Sequence, residues 1–177
     1  MLDITSFWKW AFSDLLSNSL RGALAEYMVS IALGCTERPR VEWDAYDLKR
    51  SDGTKIEVKS SAYLQAWKQK KLSVITFDIA MKKAWDSESD QVQVKAMRSA
   101  DLYIFSVFAT LDRSTANPLD VHQWFFLVTS SAFLNQFFGH QRSVRLSSLE
   151  KKGLKRCSFD ELKSECDRLI YYAKTFD

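Results

Sequence analysis

The hydrophobic patterns along this chain predict an α/β fold, with a mixed central β-sheet flanked by helices. Three observations support this class. Residues 5–34 have helical spacing, the middle of the chain contains short apolar or alternating segments typical of strands, and the last segment returns to helical spacing. At 177 residues the chain is expected to form one domain, 1–177. We divide it into N-terminal helices (5–34), a core hairpin (41–59) and the remaining sheet and helices (60–177).

The composition points to a globular protein of a reducing compartment. Hydrophobic residues make up 46% of the chain and aromatic residues 14%, which argues against disorder. The three cysteines are odd in number and have no CxxC spacing, so we expect free thiols and a cytoplasmic location. No apolar run approaches the roughly 18 residues that cross a bilayer, and the N-terminus does not resemble a secretion signal. We therefore expect no membrane partner.

The scarcity of histidine limits the chemistry that the chain supports. Two histidines, His122 and His140, leave little material for a His-rich zinc site or a Ser-His-Asp triad. A bound metal would be held by oxygen ligands, which favours Mg²⁺ or Mn²⁺. The formal net charge of +3 is compatible with nucleic acid but does not establish it.

The N-terminal region is expected to form two helices within residues 5–33. The first has aromatic and aliphatic residues three and four positions apart, and the second has a continuous apolar stripe that ends before Gly34, a natural helix stop. Glu26 lies in the second helix, off the main stripe. It is either a site residue or an ordinary exposed glutamate.

A β-hairpin is expected next, with strands over Val41–Lys49 and Lys55–Lys59 and a turn at Asp52-Gly53. If Gly53 takes the left-handed position of a three-residue loop, Arg50 pairs with Thr54.

This register places Asp47 opposite Glu57, and it puts Asp47, Glu57 and Lys59 on one face of the hairpin. Asp44 would then point to the other face unless a bulge intervenes, and a two-residue loop would reverse the choice. The register of the turn therefore decides which aspartate belongs to a site.

The rest of the chain alternates between strands and helices. A short helix is expected from Ser60 or Ser61 through Gln65 to Trp67. The later elements are a strand at Ser73–Ala80, a polar surface excursion at Met81–Arg98, strands at Leu102–Ala109 and Gln123–Thr129, a helix at about Ser131–Phe138, a short edge strand at Ser143–Leu146, and a closing helix at Ser158–Ala173 with a Ser158/Glu161 capping box.

The hairpin carries the groups that hydrolysis of a phosphodiester requires. Two carboxylates on adjacent strands can hold Mg²⁺ and leave positions open for water and phosphate. Lys59 projects on the same face as Glu57, about 7 Å further along the strand, where it can orient a water or stabilise developing charge. The alternative is structural, because charged residues alternate with apolar ones on any half-exposed strand.

The arrangement of Asp47, then Glu57-Val58-Lys59 after a hairpin, preceded by a helix with Glu26, resembles the PD-(D/E)XK, or restriction-endonuclease-like, nuclease superfamily. The match covers about residues 20 to 70. Tyr46 stands where the motif name has proline. The resemblance implies a nuclease-like domain with a restriction-endonuclease-like mixed sheet.

The same resemblance implies functional roles. Asp47, Glu57 and Glu26 would bind Mg²⁺ or Mn²⁺, Lys59 would be the catalytic lysine, and Gln65 would support the site. The implied activity is that of a Mg²⁺-dependent endonuclease that hydrolyses DNA phosphodiester bonds, in a restriction or defence setting.

Two other functions remain open at this point. One is a catalytically inactive nucleic-acid-binding or assembly protein on the same fold, and the other is an α/β interaction domain whose hairpin charges are only a solvated face. Lys68, Lys70 and Lys71, next to Trp67, would contact nucleic acid or else form a solvated face. Since no separate recognition domain is evident, specificity would come from loops, a homodimer or a partner protein.

Overall fold

A computed structural model describes residues 2–37, 40–42, 44–83, 85–86, 91–92 and 95–176. Two helices open the chain, α1 (Ile4–Ala11) and α2 (Asn18–Leu33). Asp3 caps α1 by accepting a hydrogen bond from the backbone N–H of Ser6. Gly34 ends α2 in the left-handed conformation, with φ of 69°, as its position after the apolar stripe predicts.

The central sheet has four strands in the order β1-β2-β6-β7. The strands are β1 (Leu48–Lys49), β2 (Lys55–Ala62), β6 (Leu102–Phe108) and β7 (Trp124–Ser130). β1 and β2 are antiparallel, β2 and β6 are parallel, and β6 and β7 are antiparallel. All seven residues of β6 are buried, as expected of a central strand covered on both faces. The sheet is therefore mixed and flanked by helices, which confirms the predicted fold class.

Two smaller ribbons and three further helices complete the described fold. β3 (Thr76–Asp78) pairs with β8 (Ser143–Arg145), and β4 (Trp85–Asp86) pairs with β5 (Gln91–Val92). The helices are α3 (Ser131–Phe138), α4 (Leu146–Lys151) and α5 (Leu162–Phe176), and a 3₁₀ turn precedes β7 at Val121–Gln123.

The sheet separates two apolar layers. On one face, α2 and α5 pack on the side chains of Ile56 and Val58 from β2 and Leu102 and Ile104 from β6. On the other face, the β3–β8 ribbon, α3 and α4 pack around a second cluster that contains Phe77. Because side chains alternate along β2, Glu57 and Lys59 project toward the layer that contains the ribbon.

Several predicted boundaries are wrong. β1 covers Leu48–Lys49 rather than Val41–Lys49, and Trp43 of that stretch lies outside the described residues. The short helix predicted from Ser60 or Ser61 to Trp67 does not form, because β2 continues to Ala62 in parallel pairing with β6.

The later elements agree more closely with the prediction. β6 and α3 form where they were expected, and Gly139 follows α3 with φ of 46°. Part of the predicted surface excursion contains β4 and β5, with 84, 87–90 and 93–94 outside the described residues. The capping-box contact forms between Ser158 and Glu161, yet α5 begins at Leu162. Among the described residues, no helix is long and apolar enough to cross a membrane.

Candidate active site on the central hairpin

The turn of the hairpin has the register that its sequence predicts. Gly53 adopts a positive φ of 88°, and the backbone N–H of Arg50 donates to the carbonyl of Thr54 at 3.0 Å. Lys49 then pairs with Lys55. Asp47, just before β1, lies within electrostatic range of Glu57 on the neighbouring strand.

Asp47 lies where the regular ladder ends. Its backbone N–H donates to the carbonyl of Ile56 at 3.0 Å, although Ile56 is already the partner of Leu48. One carbonyl thus faces two consecutive residues of the opposite strand, as at a β-bulge. The Asp47 carboxylate is directed at β2, where its Oδ2 accepts a hydrogen bond of 2.7 Å from the backbone N–H of Val58.

Glu57 and Lys59 form a partly buried ion pair on β2. The Lys59 ammonium donates to Oε1 of Glu57, and the two side chains are 20% and 16% exposed. Burial acts to lower the pKa of Lys59, but the carboxylates of Glu57, Asp47 and Asp78 outweigh it, so the pKa is above its usual value. Lys59 is therefore a cation among several carboxylates, which is suited to stabilising negative charge.

Glu26 approaches this cluster from α2. Its two carboxylate oxygens accept from Nε and Nη2 of Arg40, and its side chain is 12% exposed. Glu26 and Asp47 both line a cleft of about 730 Å³ between α2 and the segment that leads into the hairpin. The cleft gives a ligand access to the carboxylates from the solvent.

Burial and the neighbouring carboxylates together raise the pKa of Asp47. Burial is the largest cause that raises it, the charges of Glu57 and Glu26 raise it further, and the pKa reaches about 7. The Val58 hydrogen bond and the charge of Lys59 lower it only in part. Asp47 therefore lies in a site with excess negative charge, and perturbed carboxylates in a cleft are typical of functional sites.

Two residues near the cluster were not expected from the sequence. Tyr103 pairs with Glu57 across β2 and β6, and burial together with the charge of Glu57 raises its pKa. Asp78 on β3 contributes to the electrostatics of both Lys59 and Tyr103. The strand pairing of β2 with β6 and the packing of β3 against β2 bring them there, and neither relation can be read from local spacing.

The predicted support of the site by Gln65 stays a prediction, and the structure shows where the residue lies. It lies in the loop after β2, and its side-chain amide donates to the carbonyl of Ala62 at 3.0 Å and to the hydroxyl of Ser73 at 3.2 Å. The predicted helix around it is absent, so Gln65 is buried in the loop and supports its conformation.

The three lysines predicted to contact nucleic acid are exposed in the same loop region. Arg113 holds the segment just before them by donating to the backbone carbonyls of Gln65, Ala66 and Trp67. Lys68, Lys70 and Lys71 therefore follow a fixed stretch of backbone beyond the end of β2.

The donor set fits a hard cation in its chemistry. Asp47, Glu57 and Glu26 supply carboxylate oxygens, the ligands that Mg²⁺ and Mn²⁺ prefer. In the part of the chain that the structure describes, however, no three His, Cys, Asp or Glu side chains lie close enough together to hold a metal ion. To bind a metal, Glu57 would have to leave its ion pair with Lys59, and Glu26 would have to leave its ion pair with Arg40.

The structure is similar to that of a bacterial homing endonuclease, I-Ssp6803I. The TM-score is 0.41 at 20% sequence identity, over 73% of this chain and 78% of that chain. No protein-family model matches the chain, and no curated protein matches it in sequence. The structural likeness is distant, and the functional assignment does not depend on it.

Proposed function

We propose that this protein is a metal-dependent nuclease that hydrolyses phosphodiester bonds of DNA with Mg²⁺ or Mn²⁺. The observation that supports this most is the contact of the Asp47 carboxylate with the backbone N–H of Val58, the residue between Glu57 and Lys59 on β2. A restriction or defence role is part of the same proposal.

Asp47, Glu57 and Glu26 are the residues that would hold the metal. When bound, the metal would polarise the phosphoryl oxygen and lower the pKa of a coordinated water. The raised pKa of Asp47 supports this role, because a bound cation stabilises the ionised form of a carboxylate that is buried and lies near other carboxylates.

Lys59 is the residue proposed to act on the reacting groups. Its release from Glu57 would leave an ammonium group beside the carboxylates, where it can orient the attacking water and stabilise the negative charge that develops on the phosphate.

Substrate would enter by the cleft that Glu26 and Asp47 line. A volume of about 730 Å³ has room for a phosphate group with its sugar neighbours, within the usual range of ligand sites. The exposed lysines Lys68, Lys70 and Lys71 are retained as candidate contacts to the nucleic acid. A homodimer or a partner protein would add specificity.

A second function is favoured by one specific observation. Glu57 and Glu26 are each already paired with a basic side chain, Lys59 and Arg40. Such pairs also occur in purely structural networks, so a catalytically inactive nucleic-acid-binding or assembly protein is the alternative.

Cleavage of plasmid DNA and calorimetry with Mn²⁺ separate these two functions. A nuclease shows metal-dependent cleavage that is lost in Glu57→Gln, together with a heat of metal binding in the wild type. DNA binding with neither metal heat nor cleavage would establish the inactive alternative.

A further inference from the structure

A second groove lies at the end of β3. It has a volume of about 570 Å³ and is lined by residues at and after the end of β3, by Ala96 from the segment before β6, and by residues of the loop after α3, namely Asp78, Ala80, Met81, Lys82, His140 and Arg142. Among these described residues, three are basic types and one is a carboxylate. The groove therefore has the composition of an anion-binding surface.

The groove is connected with the candidate active site through Asp78. This aspartate lines the groove, and its charge also acts on Lys59 and Tyr103. The charges of Asp47, which lines the cleft, and of Asp78, which lines the groove, both act on Lys59. Lys59 thus lies within electrostatic range of both the cleft and the groove.

Hydrogen bonds fix both walls of the groove. The backbone N–H of Ile79 donates to the carbonyl of Arg142 at 2.9 Å, and Lys82 and Met97 exchange two backbone hydrogen bonds of 3.1 and 3.0 Å. The guanidinium of Arg98, which is 5% exposed, donates to the carbonyls of Ile79 and Gly139 and to the side chain of Asn135. Backbone hydrogen bonds and the buried side chain of Arg98 therefore hold the groove in place.

Arg98 also contributes charge to the surface above it. The three acceptors of its guanidinium are neutral oxygens, and an arginine keeps its proton in a protein. The dipoles of these acceptors stabilise the positive charge but carry no net negative charge. The guanidinium therefore makes the electrostatic potential at the groove more positive. Lys82 pairs with Asp78 at 3.0 Å, while the side chains of His140 and Arg142 are exposed at the rim.

We propose that this groove binds the phosphate backbone of the nucleic acid next to the phosphodiester at Lys59. Arg142 is the principal contact, because an exposed guanidinium can form two parallel hydrogen bonds to one phosphate. The proposal rests on the proposed function. It places the path of the DNA strand along the β3–β8 ribbon, in addition to the lysines after β2. His140 and Lys82 line the same path.

The test compares the binding of a fluorescent DNA duplex to the wild type and to Arg142→Gln. Binding is measured by fluorescence anisotropy, in Ca²⁺ or EDTA, over a range of salt concentrations. Each phosphate contact that is lost reduces the slope of log K against log salt by about 0.9. We expect Arg142→Gln to lose about one such contact and about 10-fold in affinity at low salt. Arg142→Lys is expected to retain the slope, since it keeps the charge.

Arg168→Gln is the matched control. It makes the same change of charge on α5, which packs on the opposite face of the sheet, and its side chain is 53% exposed. An Arg142→Gln variant with the slope and affinity of Arg168→Gln would overturn the proposal, as would a wild-type protein that does not bind the duplex. If the wild type binds with the predicted dependence on Arg142 but does not cleave with Mn²⁺, the groove stands and the proposed nuclease function fails.

Discussion

Asp47 accepts a hydrogen bond of 2.7 Å from the backbone N–H of Val58, the residue between Glu57 and Lys59. This contact ties the irregular start of the hairpin to the strand that carries the other two charged groups. Because the bond is made to the backbone, it does not depend on which side chains surround Asp47. The carboxylate is thus held near that of Glu57, and the repulsion between the two lowers the stability of the folded protein. Measurements of stability as well as of activity can therefore test the cluster.

Replacing Lys59 by alanine is expected to abolish cleavage while the fold is retained. Removal of a group that stabilises transition-state charge typically lowers the rate by a factor of about 100 or more. The measurement is cleavage of plasmid DNA with Mn²⁺, with circular dichroism to monitor folding. Lys163→Ala, on α5 and 61% exposed, serves as the control. Robust cleavage by Lys59→Ala would remove this lysine from the catalytic assignment.

The pKa of Asp47 predicts a specific dependence of stability on pH. In the folded protein this carboxyl group holds its proton up to about pH 7, whereas its ordinary value is 3.8. Between these two values the folded chain binds more protons than the unfolded chain, so stability falls as the pH rises from about 4 to 7. Asp47→Asn removes this penalty and keeps an acceptor for the Val58 N–H. We expect the variant to exceed the wild type by about 3 kcal/mol at pH 8, and by much less near pH 4.

Urea unfolding at several pH values measures this difference. Asp112→Asn is a control in which the pKa shift has the opposite direction, because hydrogen bonds from Ser114 lower the pKa of the Asp112 carboxyl group. That variant is not expected to gain stability at any pH. If the advantage of Asp47→Asn over the wild type is no greater at pH 8 than at pH 4, then burial and the neighbouring carboxylates do not raise the pKa of Asp47.

The hairpin also shows which features the sequence could predict. The positive φ of Gly53 requires glycine, and it determines the register that places Asp47 rather than Asp44 beside Glu57. This is local chemistry within about ten residues of chain, so the spacing of residue types was sufficient. β6 was predictable for a related reason, because a continuous apolar run needs a strand covered on both faces.

The errors arise where distant parts of the chain meet. Ser60 and Ser61 are good helix caps, but pairing with Ser106 and Val107 on β6 extends β2 through them instead. Asp78 and Tyr103 reach the cluster by packing and strand pairing over long separations in sequence. β8 was expected as an edge strand, and its partner turned out to be β3 in a separate ribbon.

Metal binding is expected to release a proton when Asp47 is protonated beforehand. At about pH 6, a carboxyl group with a pKa of about 7 must lose its proton before it can serve as a ligand, whereas at pH 8 it is already ionised. Titration of Mn²⁺ in two buffers with different ionisation enthalpies should therefore indicate roughly one proton released at pH 6 and close to none at pH 8.

Two variants make this measurement decisive. Asp47→Asn and Glu57→Gln are both expected to lose the heat of binding, since each removes a carboxylate ligand. Metal binding without proton release at pH 6 would mean that Asp47 is not a ligand. A wild type without any heat of binding would contradict the metal site as a whole.

Arg98 is expected to be important for stability as well as for the groove. Arg98→Met keeps an unbranched apolar stem but leaves the buried carbonyl of Ile79 and the half-buried carbonyl of Gly139 without this donor. Hydrogen bonds from a charged group contribute about 1.5–3 kcal/mol each, offset in part by the cost of burying the guanidinium. We therefore expect the free energy of unfolding to fall by about 3 kcal/mol.

Arg113→Met is the matched control, because Arg113 also donates to backbone carbonyls but is exposed, so that water can replace its hydrogen bonds. Chemical denaturation of both variants tests this, and an Arg98→Met protein as stable as the wild type would mean that desolvation cancels the three hydrogen bonds.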